Sequence, residues 1–96
     1  MEYVRLGKSN LMISRVAFGA MSLTKAGNAE KAAELVRSAY NHGINFFDTS
    51  RNTPACEKLL GDSLGDIRSS VVIASKTSAQ SGAEVLSDLE TSLNIM

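Results

Sequence analysis

Two residues in this chain, Asp48 and Lys76, could do chemistry together. Each closes an apolar run, in Ile44-Asn45-Phe46-Phe47-Asp48-Thr49 and in Val71-Val72-Ile73-Ala74-Ser75-Lys76-Thr77. They stand 28 positions apart, which suits neighbouring parallel strands joined by one crossover helix, a unit of roughly 30 residues. An acid and a base would then sit side by side at the carboxyl ends of adjacent strands, where α/β sheets and barrels place their active sites. Asp48 would hold Lys76 by an ion pair, and the ammonium charge would lower the pKa of a neighbouring hydroxyl acid. A tyrosine, with an unperturbed pKa of about 10, could become a proton donor near neutral pH in this way. The alternative is a buried ion pair that only orients two strands.

The elements that must position these residues are legible in the pattern. Tyr3 to Leu6 and Leu11 to Ser14 read as strands of a hairpin around Gly7-Lys8-Ser9-Asn10. Val16-Ala17-Phe18-Gly19 is a third short strand, ending in the small residues Gly19-Ala20. Asn28 is a good helix cap with Glu30 in the first turn. Ala32, Val36, Ala39 and Tyr40 then fall on one helical face, and Gly43 would end the helix in the left-handed conformation. Thr53-Pro54 opens a second helix, with threonine as cap and proline at its first position. Cys56, Leu59, Leu60 and Leu64 form its apolar stripe, and Gly65-Asp66 breaks it. Ser81 to Glu84 has capping-box spacing before a third helix, whose apolar face is Val85, Leu86, Leu89, Leu93 and Met96. A hairpin followed by three strand–helix repeats predicts an α/β fold built from parallel βα units.

Composition narrows the function. Ten basic residues balance ten acidic ones among 96, so charge gives no support for a nucleic-acid or membrane-surface partner. No apolar run approaches the roughly 18 residues of a membrane span. The N-terminus lacks a signal peptide's basic start and apolar core. Cys56, the only cysteine, excludes an internal disulfide and cannot alone make a metal site. A cytoplasmic protein is expected.

The same residues resemble a known family. Leu6-Gly7-Lys8-Ser9-Asn10-Leu11, Phe18-Gly19-Ala20-Met21 and Gly43-Ile44-Asn45-Phe46-Phe47-Asp48-Thr49 are similar to segments of the aldo-keto reductases. So are Cys56-Glu57-Lys58-Leu59-Leu60-Gly61, Val72-Ile73-Ala74-Ser75-Lys76-Thr77 and Ser87-Asp88-Leu89-Glu90-Thr91-Ser92-Leu93. The segment after Lys76 most resembles the bacterial branch whose longer members carry a C-terminal iron–sulfur ferredoxin-like region; Cys56 alone cannot support such a cluster. The resemblance implies an eight-stranded (β/α) TIM barrel closed at its bottom by an N-terminal hairpin. It implies NADPH-dependent reduction of aldehydes or ketones to alcohols, and the reverse. By the resemblance, Asp48 and Lys76 are expected to take the catalytic aspartate and lysine roles, and Gly19, Ala20, Met21 and Asp48 to lie beside the nicotinamide of NADP(H).

Two family residues do not carry over. Thr53, five positions after Asp48, stands where the resemblance places the proton-donating tyrosine, and a threonine hydroxyl is too weak an acid to replace it. Loss of one positioned acid typically costs about 10²- to 10⁴-fold in rate. The family histidine belongs to a strand beyond the last helix here. His42, before Gly43, is expected to complement the first helix's dipole instead.

The chain therefore reads, over residues 1–96, as the N-terminal portion of an aldo-keto reductase domain, comprising the hairpin and three βα units of an incomplete barrel. A complete barrel needs roughly 200 residues or more, and Asn94-Ile95-Met96 reads as the middle of a connection. The isolated chain is expected to reduce no carbonyl and to be a doubtful binder of NADP(H). A non-catalytic binding module and one piece of a split or self-assembling barrel are the alternatives; unpaired strand edges favour self-association. Arg51 is expected to face the pocket or solvent, Ser50 and Ser78 to line the mouth or to be ordinary loop polarity, and Met12, Met21 and Met96 to pack.

Overall fold

The computed structural model describes residues Met1–Met96. Strands β1 (Tyr3–Arg5) and β2 (Met12–Ser14) pair antiparallel as the expected hairpin. Then follow β3 (Phe18–Gly19), α1 (Ala29–Asn41), β4 (Phe46–Asp48), α2 (Pro54–Leu64), β5 (Val72–Ala74) and α3 (Gly82–Ile95). Short 3₁₀ turns at Leu23–Ala26 and Gly65–Ser70 extend the connections before α1 and after α2.

Local chemistry sets the helix boundaries. Asn28 accepts a 2.8 Å hydrogen bond from the Lys31 amide, and Ser81 accepts one of 3.2 Å from the Glu84 amide, so both act as side-chain caps. Gly43 follows α1 with φ +100°, a conformation that L side chains rarely adopt. Thr53 departs from expectation: it occupies the cap position of α2, but its side chain caps nothing. Its hydroxyl donates instead to the Ser50 carbonyl at 3.1 Å. Pro54, lacking an amide hydrogen at the first helical position, reduces the need for a side-chain cap.

Strands β3, β4 and β5 form one parallel sheet in that order, with no closure into a barrel. The register places Phe18, Phe47 and Ile73 level on one face, and Gly19, Asp48 and Ala74 level on the other. Phe47 is fully buried with Val36, Leu60 and Leu64 beneath the helices, its ring 5.7 Å from that of Phe18. The core therefore lies between the sheet and the helix layer, and the face carrying Asp48 is open.

The hairpin docks at the opposite end of β4 from Asp48. Tyr3 donates its hydroxyl to the Gly43 carbonyl at 2.7 Å. Asn45 accepts from the Ser14 amide at 2.7 Å and donates to the Met12 carbonyl at 3.0 Å.

Helix α3 forms where the pattern put it, but most of its apolar face is uncovered: Val85, Leu86, Leu89 and Leu93 are 39%, 63%, 52% and 64% exposed. The helix turns Ser92 and its C-terminal residues toward the core instead, with Ser92 buried and Met96 packed on the central cluster. Met12 and Met21 are likewise exposed, so of the three methionines assigned to packing only Met96 packs against that cluster.

Candidate active site

Parallel pairing brings Asp48 and Lys76 together at the carboxyl end of the sheet. The Lys76 ammonium donates to Asp48 Oδ1 at 2.8 Å and to the Thr49 carbonyl at 2.7 Å. Lys76 lies two residues beyond β5, but the parallel ladder continues to it: the Thr49 amide donates to the Ala74 carbonyl and the Arg51 amide to the Lys76 carbonyl, each at 2.8 Å. Because side chains alternate along a strand, Lys76 shares the open face with Ala74 and Asp48. The pair is not buried; the Lys76 and Asp48 side chains are 56% and 43% exposed. That sets aside a sealed ion pair that only orients strands.

Gly19 is level with Asp48, and open space lies where its Cβ would stand. A flat ring can therefore approach the backbone beside Asp48. Met21 is exposed next to it, with Sδ 3.4 Å from the Thr53 hydroxyl. Ala20 is fully buried, and its amide donates to the Asp48 carbonyl at 2.8 Å, so its side chain belongs to the core.

Arg51 is largely withdrawn from solvent and borders the cleft beside Lys76. Its guanidinium lies 2.8 Å from Glu57 Oε1 as an ion pair without hydrogen-bond alignment. Glu57, on α2, is fully buried. Its Oε2 accepts from Ser75 Oγ at 2.9 Å and from Ser92 Oγ at 2.6 Å. Sequence reasoning missed this cluster. The available signal was a charged residue on the apolar stripe of α2, one turn before Leu60 and Gly61.

The remaining polar residues build the connections. Ser50 is buried and accepts from the Asn52 amide at 3.2 Å. Ser78 donates to Asn52 Oδ1 at 3.0 Å. Thr77 donates to Asp88, tying the loop after β5 to α3. His42 follows α1, with Nδ1 2.7 Å from the Ser38 carbonyl, at the helix end where the expectation put it. Cys56 is buried in the core, and its thiol donates to the Met21 carbonyl at 3.3 Å. Beside Lys76 a cleft of about 180 Å³ opens between the end of β5 and α3, lined by Arg51, Thr77, Asp88, Val85 and Leu89 among others. No helix is long and apolar enough to cross a membrane.

Residues 15–96 match the Aldo/keto reductase family. A probable voltage-gated potassium channel subunit beta from Arabidopsis thaliana is 30% identical over 82 residues, which cover 79% of this chain and 25% of the relative. An uncharacterized oxidoreductase, YrpG, from Bacillus subtilis is 32% identical over 85 residues, covering 79% of this chain and 26% of its own length. The crystal structure of a putative aldo-keto reductase from Pseudomonas aeruginosa superposes with a TM-score of 0.88 at 28% identity, covering 96% of this chain and 40% of that one. The chain thus spans about a quarter of the length of these curated relatives.

Proposed function

The chain belongs to the aldo/keto reductase family, and we propose that its residues 1–96 form the N-terminal portion of an NADPH-dependent oxidoreductase domain that interconverts small aldehydes or ketones and alcohols. The observation that carries this reading is the Lys76 ammonium held 2.8 Å from Asp48 Oδ1 on the open face of the sheet. Bound NADPH would supply the hydride. Gly19, Met21 and Asp48 would border its nicotinamide ring. Asp48 and the Thr49 carbonyl fix the ammonium group, and its charge stabilises the conjugate base of any hydroxyl acid placed beside it. The family's position for that acid is occupied by Thr53, whose hydroxyl is too weak. The chain by itself therefore turns over no carbonyl. A cytoplasmic location goes with this reading.

The test has two arms. Carbonyl-dependent NADPH oxidation by the purified chain is expected not to exceed that of Lys76→Met; turnover above that control overturns the inactive reading. Titration with reduced nicotinamide mononucleotide, followed by amide NMR, is expected to shift Gly19, Met21 and residues flanking Lys76. Shifts elsewhere, or none at these residues, remove the site.

A second reading, self-association as one piece of a split barrel, is favoured by the exposed Leu86, Leu89 and Leu93 of α3 and by β5 having a single strand partner. Sedimentation velocity decides it: a defined oligomer that Leu86→Lys dissociates supports the reading, and a monomer at all concentrations removes it.

A further inference from the structure

Glu57 is a fully buried carboxylate that the proposed chemistry does not use. Three side chains converge on it: Arg51 at 2.8 Å, Ser75 at 2.9 Å and Ser92 at 2.6 Å. Two of these bear directly on Lys76. Ser75 is its chain neighbour, and alternation along the strand sends the Ser75 side chain into the helix layer while Lys76 faces the open side. Arg51 grips the Lys76 carbonyl through its amide at 2.8 Å while its guanidinium meets Glu57. The backbone of Lys76 is thus held from both sides by groups that end on one carboxylate.

We propose that Glu57 is the positioning residue for Lys76: through Ser75 and Arg51 it fixes the backbone from which the ammonium group reaches Asp48. Such an anchor has a physical reason. The Lys76–Asp48 pair is half-exposed, so the pair alone supplies little to hold a long side chain in one geometry. A carboxylate without solvent access, hydrogen-bonded by Ser75 and Ser92 and ion-paired with Arg51, is a far stiffer reference point. The proposal rests on the reductase reading only for what Lys76 is for; the geometry stands without it.

Competitive acetylation of lysines in the folded chain, quantified at each residue by mass spectrometry, tests this. Lys8 and Lys25 serve as references. Ser75→Ala is expected to raise Lys76 labelling roughly three-fold, the scale of a weakened exposed ion pair, with the references unchanged. Ser75→Thr, which keeps the hydroxyl, should return the wild-type rate. Glu57→Gln should raise Lys76 labelling at least as much as Ser75→Ala; if it fails to fold by circular dichroism, the two Ser75 variants decide. Unchanged Lys76 labelling in folded Ser75→Ala overturns the proposal, as does an equal rise at Lys8 and Lys25, which marks general loosening. Turnover is not the readout, so a chain with no reductase activity leaves this result intact, and a failed labelling result leaves the reductase reading intact.

Discussion

Ser92 Oγ donates a 2.6 Å hydrogen bond to Glu57 Oε2, joining α3 to α2 through a carboxylate with no exposed surface. The same carboxylate meets Arg51 and Ser75, so one buried charge links the β4–α2 loop, both helices and the end of β5. Removing it leaves the Arg51 guanidinium, whose side chain is only 14% exposed, without a counter-charge.

Glu57→Ala is therefore expected to be severely destabilising. Breaking a buried pair by deleting one partner typically costs about 3–5 kcal/mol, a large part of a small domain's stability. Urea denaturation checks this. A loss below about 1 kcal/mol would mean that Arg51 finds water or another partner.

Lys76→Met should behave oppositely. Its ion pair is half-exposed, and pairs of that kind contribute about 0–1 kcal/mol. Thermal unfolding should shift little, while the Asp48 side chain loses its fixed partner. A large drop in melting temperature would make the pair structural and weaken its assignment to chemistry.

Gly61 permits α2 to approach the end of α3. A Cβ at this position would collide with the Ile95 carbonyl oxygen and crowd Met96 Cα at 3.2 Å. In an isolated helix Gly→Ala gains up to about 1 kcal/mol. Here the forced separation of the two helices should outweigh that gain, at about 1–3 kcal/mol for overpacking. Hydrogen exchange should quicken through α3 in Gly61→Ala. A stabilised variant would show that α3 yields at no cost.

Asp66 gives a pH signature on the surface. The hydrogen bond from Arg37, reinforced by its charge, holds the Asp66 carboxyl below the usual value of 3.8. A folded-state pKa below the unfolded one contributes stability that is present above pH 3.8 and lost as pH falls through the folded value. In Arg37→Ala the Asp66 titration, followed by carboxyl ¹³C NMR, should move up toward 3.8. An unmoved titration would assign the depression to another cause.

Much of the architecture was legible in the sequence because its signals are local. Asn28, Ser81 and Gly43 set helix ends by bonds and dihedrals within a few residues of themselves, and the structure places all three as the pattern requires. The spacing of Asp48 and Lys76 sufficed to place them together, because parallel strands joined by a helix put their carboxyl ends side by side. Thr53 at the expected tyrosine position was equally a matter of counting.

What only the tertiary structure decided depends on contacts between residues far apart in the chain. Nothing in the sequence joins Arg51, after one strand, to Ser75, near the end of the next, until Glu57, buried on the stripe of α2, is seen to collect both. Apolar periodicity identified a face on α3 but could not say whether anything covers it; in this chain Leu86, Leu89 and Leu93 stay in solvent while Ser92 turns inward to a charge. Periodicity measures what a helix has to bury, whereas burial depends on which neighbours are there to receive it. The sequence therefore specified the acid–base pair, and packing through Glu57 specified how that pair is held.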